Sequence, residues 1–322
     1  MDKYLIFSNL EPPHFRLQNM KIKPLIQLRE MVAAALSSMT NLSKSFRTFI
    51  IETMELFLTS SGRMNFTQMA RCGRSCESRF RQNFKKSFDW LSFNRHFLSP
   101  MIGHRIAIGI DPCFIPKAGK KTPGVDWFWS GCAGAIKHGL EILGLSVVDA
   151  DAKDAVFLKA EQTFTQKFAG KVDLKNLDMT IFKEEYSVDG KLVYKLYTAD
   201  VWAVSLGSEV RVVIVDYLDT DKKTQSRKVF FSTDLSLSAR DIFDIYRTRF
   251  QLEFVFRDAK QFTGLTHCPA RNKEALAFAF NASLSSVNVA RAYARQEGHN
   301  LSVGATKTLL HNAAMVDRFI AM

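Results

Sequence analysis

The 322-residue chain is long enough for about two domains, and it has a globular composition with 47% hydrophobic and 24% charged residues. No apolar run reaches the roughly 18 residues of a membrane span, and residues 1–19 lack the apolar segment of a signal peptide, so we expect a cytoplasmic protein that does not enter a membrane. The formal net charge of +12 favours a polyanionic partner, nucleic acid before an acidic membrane surface.

The first 100 residues are predicted to be helical. Residues 22–60 repeat apolar positions at intervals of three and four, which is typical of amphipathic helices. Residues 66–71 then predict a short helix, residues 72–73 a tight turn, and Ser75 the cap of a second helix. Together these elements outline a helix-turn-helix at about residues 65–90.

The second helix of this motif carries concentrated positive charge. Residues 71–86 hold six cations against one acid, Glu77, while phenylalanines repeat every four residues as an inward stripe. An ordinary basic surface helix would show the same charges, but the turn and the net charge of the chain favour contact with DNA. The four cations that we expect to bind DNA phosphates are Arg79, Arg81, Lys85 and Lys86.

After about residue 100 the pattern changes to strands. HRIAIGIDP predicts a strand of alternating isoleucines that ends on Asp111 before Pro112, and HGLEILGLSVVDA and AVFLKAEQTF predict two more. We expect these three strands to pair as a meander. Residues 179–233 contain alternating runs separated by two-residue turns, which indicates further β-hairpins.

The five cysteines are scattered along the chain and include no CxxC pair. This argues against a disulfide framework and against a zinc ribbon. We therefore expect free, buried thiols.

A single long helix is predicted over residues 235–264, capped near Ser238 and ending at Gly264, and the remainder of the chain is mostly helical. Four of its side chains share one face within about 60°. This stripe mixes a phenol, two cations and a carboxylate, so burial for stability alone is unfavourable. It is either a solvated, salt-bridged face or a functional one, and its members are Tyr246, Arg249, Glu253 and Lys260.

An aspartate on the first strand of a meander and a glutamate on a late helix can meet in space although they are far apart in sequence. A few such carboxylates, together with phosphate oxygens, hold Mg²⁺ ions that activate water. We therefore consider Asp111 and Glu253 as ligands of Mg²⁺, or of Mn²⁺, with the remaining stripe residues as donors to DNA phosphates: Tyr246, Arg249 and Lys260.

The spacing Tyr246-x2-Arg249-x3-Glu253-x6-Lys260 matches the signature of bacterial insertion-sequence transposases with an RNase H-like DDE core, the insertion-sequence-four group. The strand IAIGID and the stretch DWFWSGCAGAIKHGLEILG are also similar to that family around its first catalytic aspartate. The resemblance implies that Asp111 is the first metal ligand and Glu253 the third. It also implies double-stranded DNA partners (element ends and target), a homo-oligomer on DNA, and a location at the bacterial nucleoid.

The chain departs from this family near residues 165–178. The family pattern requires a helix and a fourth strand ending on the second aspartate, but the predicted third strand ends near Phe164 and the β-rich stretch begins near Thr180. Asp200 is a weak substitute because a hairpin follows it rather than a helix, so the second ligand stays unassigned. Three other acids come too early in the order: Asp149, Asp151 and Asp154.

These observations predict an α/β chain with three regions. A helical DNA-binding region (1–100) precedes an RNase H-like core (101–270), shortened near 165–178 with a β-rich insertion at 179–233, and a helical C-terminus (271–322). The leading functional hypothesis is a transposase built for Mg²⁺-dependent DNA cleavage and strand transfer, impaired by a missing second aspartate. The alternatives are a non-catalytic DNA-binding remnant that competes with intact transposase, and a basic nuclease or RNA-binding protein that reuses the fold.

Overall fold

The computed structural model describes residues 23–98, 105–119, 121–163, 179, 183–189, 192–203, 207–218, 224–296, 298 and 301–321. Within these ranges the protein is a mixed α/β fold, as predicted, with two antiparallel sheets between helical segments. The short segment at 165–178 lies outside the described residues.

The N-terminal helices form where the apolar periodicity predicts them. Ser43 caps the second of them by accepting a hydrogen bond from the Phe46 N–H, and the inward phenylalanine stripe predicted further along the chain is buried. The five helices are α1 (Lys23–Ser37), α2 (Lys44–Thr59), α3 (Phe66–Cys72), α4 (Glu77–Asn83) and α5 (Trp90–Arg95).

Two details of the predicted helix-turn-helix are wrong. Cys76, not Ser75, occupies the N-cap of α4, and α4 ends at Asn83 rather than near residue 90. A buried carboxylate on α2 accounts for the first difference: Glu52 accepts hydrogen bonds from the Ser75 backbone N–H at 2.7 Å and from its hydroxyl at 2.5 Å. Glu52 also leaves no room for a side chain at Gly73, where a Cβ atom would lie 2.7 Å from its Oε1. The turn between α3 and α4 is therefore fixed by α2.

The first sheet is the predicted meander with one additional strand. β3 lies in the centre and pairs antiparallel with all three others. The additional strand, β2, forms a hairpin with the first part of β3. The strands are β1 (Ile106–Pro116), β2 (Asp126–Ser130), β3 (Ala135–Asp149) and β4 (Asp154–Gln162).

The prediction that β1 ends on Asp111 is wrong, because the strand continues through Pro112 to Pro116. Proline is tolerated in an edge strand, where its missing N–H can face away from the ladder, and among the described strands β1 pairs only with β3. The alternating isoleucines lie on an exposed face of the sheet. Asp111 lies on the opposite face, which is covered by a helix.

The second sheet has the order β5-β6-β7-β8 and is antiparallel throughout. Its last strand begins earlier than predicted, because residues 224–228 pair with β7 rather than forming a loop. A cross-strand ion pair accounts for this extension, since Arg227 holds the buried Asp216 at 2.7 Å. The strands are β5 (Lys183–Asp189), β6 (Leu192–Ala203), β7 (Ser208–Leu218) and β8 (Thr224–Ser232).

The predicted single helix over 235–264 is two helices that meet at Arg249. Ser238 caps the first as predicted, in a reciprocal capping box with Asp241. The first helix packs on the second sheet and the next one on the first sheet, so the interruption lies where the chain passes between two cores. The C-terminal helices are α6 (Ala239–Thr248), α7 (Phe250–Phe262), α8 (Lys273–Gln296) and α9 (Val303–Ile320).

Side chains of the buried helix α8 pair with the outer edge of β4. Asn281 accepts from the Ala160 N–H at 2.8 Å and donates to its carbonyl at 2.9 Å. Asn288 binds the Phe157 N–H and carbonyl in the same way, at 3.2 and 2.7 Å. Seven helical residues and three strand residues both span about 10 Å, so the two asparagines match the two strand positions. This edge is thus satisfied without another strand.

Four cysteines with described side chains are free thiols. Cys113 is buried as expected, but Cys76 is exposed at the start of α4, so the expectation of burial is wrong there. No described helix has the length and apolar character needed to cross a membrane.

Candidate functional site

Two glycines bring α7 unusually close to the first sheet. A Cβ atom built at Gly144 would lie 2.6 Å from the Phe256 ring, and one at Gly109 would lie 3.1 Å from a methyl group of Leu252. Real Cβ atoms do not make the first of these contacts. The helix therefore packs against backbone, which is a recognised use of glycine inside a strand.

This close approach places Asp111 against the start of α7. Asp111 stands opposite Gly144 in the ladder between β1 and β3, and its side chain is only 13% exposed. Arg249, at the junction of α6 and α7, donates a charge-assisted hydrogen bond to its carboxylate. Residues that are far apart in sequence thus form one ion pair at the surface of the sheet.

Glu253 lies one turn further along α7 and is exposed. Burial raises the pKa of Asp111 above its ordinary value, Arg249 opposes the rise, and the negative charge of Glu253 adds to it. The two carboxylates are therefore close enough to interact electrostatically. A cation at this position would relieve both their repulsion and the cost of burying Asp111.

The two outer residues of the stripe have different surroundings. Tyr246 packs against the second sheet, with its ring centroid 4.6 Å from that of Phe230. Lys260 lies near the other end of α7 and is half-buried. The structure thus brings Arg249 and Glu253 to Asp111, while Tyr246 joins the core of the second sheet.

The four cations predicted to bind DNA lie on or just after α4. Lys85 and Lys86 are exposed, and the Lys86 ammonium lies 5.2 Å from the centroid of the Phe46 ring. Arg81 is exposed but pairs with Glu77, and Arg79 is half-buried with a long contact to the Ser45 carbonyl. This surface keeps a positive excess.

Asp200 is not brought to the pair formed by Asp111 and Arg249. It lies on β6 in the second sheet, where Arg211 binds both its oxygens at 2.7 and 2.8 Å. The three early acids also have structural partners: Asp149 accepts two backbone N–H groups, Asp151 pairs with Arg105, and Asp154 pairs with Arg291 and Arg295.

Within the described part of the chain, no three His, Cys, Asp or Glu residues are grouped so that they could hold a metal ion together. Asp111 and Glu253 suit a single Mg²⁺, which proteins commonly bind through one or two carboxylates with water and substrate phosphates completing the shell. They do not suit a pair of ions. Such an ion would supply Lewis-acid stabilisation of a phosphate oxygen.

Gly109 and Gly144 set the depth at which α7 packs, and the sequence pattern alone does not assign them this role. The available signal was glycine inside two strands, once in β1 and twice in β3, which marks a bulge or a close approach of another element. Neither glycine indicates by itself which helix approaches.

A scan against protein-family models gives no match to this chain. A search of curated proteins also gives no similar sequence. The function must therefore be inferred from the residues, their resemblance to a known signature and their geometry.

We predict that replacing Asp111 with Asn stabilises the protein at neutral pH. The pKa of Asp111 is raised on folding, so the folded state holds the proton of this carboxyl group more tightly than the unfolded state does. The stability of the wild type therefore falls as pH rises from the unfolded-state pKa to the folded-state pKa of Asp111. The Asn side chain does not ionise, so the Asp111→Asn variant does not lose this stability. Chemical denaturation at about pH 4 and pH 7 should show a gain that grows with pH.

Asp200→Asn is the matched control with the opposite sign. Arg211 holds the pKa of Asp200 below its ordinary value, so its ionised form contributes stability above the unfolded value that is lost as pH falls. The Asn variant should lose a little stability at pH 7 and none in acid. An Asp111→Asn variant that behaves like this control would contradict the conclusion that folding disfavours the ionised form of Asp111.

Proposed function

We propose that this chain is a polypeptide of the insertion-sequence DDE transposase type, with an RNase H-like core, that binds element-end DNA and cleaves it poorly. The observation that carries the proposal is the position of Asp111, mostly buried on a strand beside Arg249 at the α6–α7 junction and Glu253 on α7. The chain thus combines the residues of the family signature with a carboxylate in contact with that signature.

The geometry supports a phosphate-processing role for this cluster. Arg249 is 41% exposed while it pairs with the mostly buried Asp111, so its guanidinium can also reach a phosphate approaching from solvent. Guanidinium groups bind phosphate oxygens in a bidentate fashion. With Asp111 and Glu253 holding one cation, a DNA phosphate at this position would meet positive charge from both sides.

Impaired cleavage follows from the number of carboxylates. Clamping both the attacking and the leaving oxygen takes two ions, and their ligands must be held on rigid elements. Asp200 is engaged by Arg211 in the other sheet, and the sequence between the third strand and the β-rich stretch is too short for a further helix and strand. The loss of such electrostatic stabilisation typically costs orders of magnitude in rate.

The helix-turn-helix supports the proposed binding to element-end DNA. Glu52 holds its turn in place, and α4 with the residues that follow it presents exposed cations next to a buried aromatic face. Fixed orientation is what a recognition element needs, because phosphate contacts set the register of a helix on the duplex. We place the protein in the bacterial cytoplasm at the nucleoid, as a homo-oligomer on DNA.

A non-catalytic remnant that competes with intact transposase is the second candidate. The observation that favours it is the engagement of Asp111 by Arg249, since an ion pair occupies the carboxylate that a metal would need. The two candidates predict the same DNA binding but differ in residual cleavage.

We predict that replacing the four α4-region cations with Ala weakens duplex binding and flattens its salt dependence. Each lost phosphate contact removes about 0.9 from the slope of log affinity against log salt, so loss of all four contacts should lower the slope by about 3.6. Fluorescence anisotropy between about 50 and 200 mM salt measures it. The set is Arg79, Arg81, Lys85 and Lys86.

A control with the same change in charge separates local contact from net charge. The control replaces four lysines on the two sheets and in the β3–β4 turn with Ala: Lys137, Lys153, Lys159 and Lys228. It should leave the slope almost unchanged. Equal slopes for the two quadruple variants would show that α4 does not touch the DNA backbone.

We also predict that the protein nicks a supercoiled plasmid carrying the element ends poorly or not at all, with Mg²⁺ or Mn²⁺, while it still binds that DNA. Weak nicking that disappears in Glu253→Gln favours the impaired enzyme, and none at any protein concentration favours the remnant. Robust nicking that is abolished by Asp200→Ala would overturn the carboxylate count and make Asp200 the missing ligand.

A further inference from the structure

A basic cleft lies where the loop between α2 and α3 meets the end of α7. Its volume is about 710 Å³, and it is lined by residues from four segments of the chain. We define the basic cleft by its principal lining residues: Arg63, Met64, Pro116, Phe262, His267 and Lys307. Its size is within the range of sites for small organic ligands.

The basic cleft carries positive charge, and no acidic side chain among its described lining residues balances that charge. Burial lowers the pKa of Lys307 to about 8, and no neighbouring carboxylate offsets this effect in the described structure. Burial also lowers the pKa of His267, and the positive charges of Arg63 and Lys307 lower it further. Lysine is rarely buried without a partner of opposite charge.

Burial and neighbouring positive charges also lower the pKa of a second lysine close to the basic cleft. Burial lowers the pKa of Lys117, the negative charge of an ionised Cys268 opposes this, and the positive charges of Arg63 and Arg271 lower it further. Several cations are therefore held near one another at a cost in electrostatic energy. An anion in the basic cleft would remove that cost.

The donors of the basic cleft are held in place. Lys307 donates to the carbonyl of Phe262, and the Met64 N–H donates to Nδ1 of His267 at 3.1 Å. Because Nδ1 accepts, the neutral imidazole carries its proton on Nε2, which is then a donor. Gly264 makes this possible with φ of 74°, since a Cβ atom there would lie 2.9 Å from Nδ1 of His267.

We propose that the basic cleft binds the 5′-terminal phosphate group of a nucleic-acid strand. A second cleft of about 430 Å³ shares Arg63 with it and is lined by Arg71 and Arg81 of the helix-turn-helix. A strand bound at α4 can thus continue past Arg63 towards Lys307. Met64, Pro116 and Phe262 supply the apolar surface against which a sugar or base packs.

This assignment does not depend on Asp111 or Glu253. It requires only that the protein binds a strand whose phosphates reach Arg63. A free phosphate ion offers the same chemistry as a strand phosphate, so both sources are compared in one experiment.

The test uses the full chain and two probes. Inorganic phosphate is compared with chloride at equal ionic strength in a thermal unfolding assay, and a short single strand with a 5′-phosphate is compared with the same strand ending in a hydroxyl. We expect phosphate to raise Tm and the 5′-phosphate to tighten binding about tenfold, as for one charge-assisted contact. Lys307→Met should abolish both effects.

Two further variants make the result specific. Arg63→Gln changes an exposed side chain, so it tests the basic cleft even if Lys307→Met folds poorly, and it should weaken both effects. Lys137→Met removes an equal charge on β3 and should change neither.

Each outcome decides the proposal. Loss of the 5′-phosphate preference in Lys307→Met and Arg63→Gln supports a strand phosphate. Protection by inorganic phosphate without any 5′-phosphate preference assigns the basic cleft to the free ion and rejects the strand. Equal behaviour of wild type and both variants overturns the site. The salt slope of duplex binding through α4, measured on the same samples, reports separately on the proposed function.

Discussion

The close packing of α7 on the first sheet is the constraint on which the candidate site depends. Without Gly109 and Gly144, Phe256 and Leu252 would have to move outward, and overpacking of this kind is itself destabilising. The same displacement would carry Arg249 and Glu253 away from Asp111. The absence of side chains at Gly109 and Gly144 therefore allows three features of the site. These are the ion pair between Arg249 and Asp111, the raised pKa of Asp111, and the proximity of the Glu253 carboxylate.

Helix α8 holds the sheet that α7 approaches. Its asparagines satisfy the edge of β4, and Arg291 joins Asp154 at the start of β4 to Asp258 on α7. An ion pair this buried stabilises only when its members are well paired, and here one guanidinium serves two carboxylates. The position of α7 is thus fixed from both sides, by backbone contact below and by α8 alongside.

Local pattern predicted the elements of the fold well, because helix periodicity and hairpin turns are local signals. The errors arose where tertiary structure, rather than the local pattern, determines the conformation. Glu52 binds Ser75, so Ser75 does not act as the N-cap of α4, and β1 continues through Pro112 because it is an edge strand. Two members of the stripe, Arg249 and Glu253, lie near Asp111, as the sequence predicted for Glu253. The sequence did not reveal that Arg249, rather than Glu253, contacts Asp111, because that order depends on packing depth.

Iron-directed backbone cleavage tests most directly whether Asp111 and Glu253 form one cation site. Fe²⁺ replaces Mg²⁺ in the protein bound to DNA, and ascorbate with peroxide then generates radicals that cut the chain beside the ion. We predict two sets of fragments, ending near Asp111 on β1 and near Glu253 on α7, and the loss of both sets in Asp111→Asn. Cuts at one of these positions only, or cuts that persist in Asp111→Asn, would show that the two carboxylates do not share a cation.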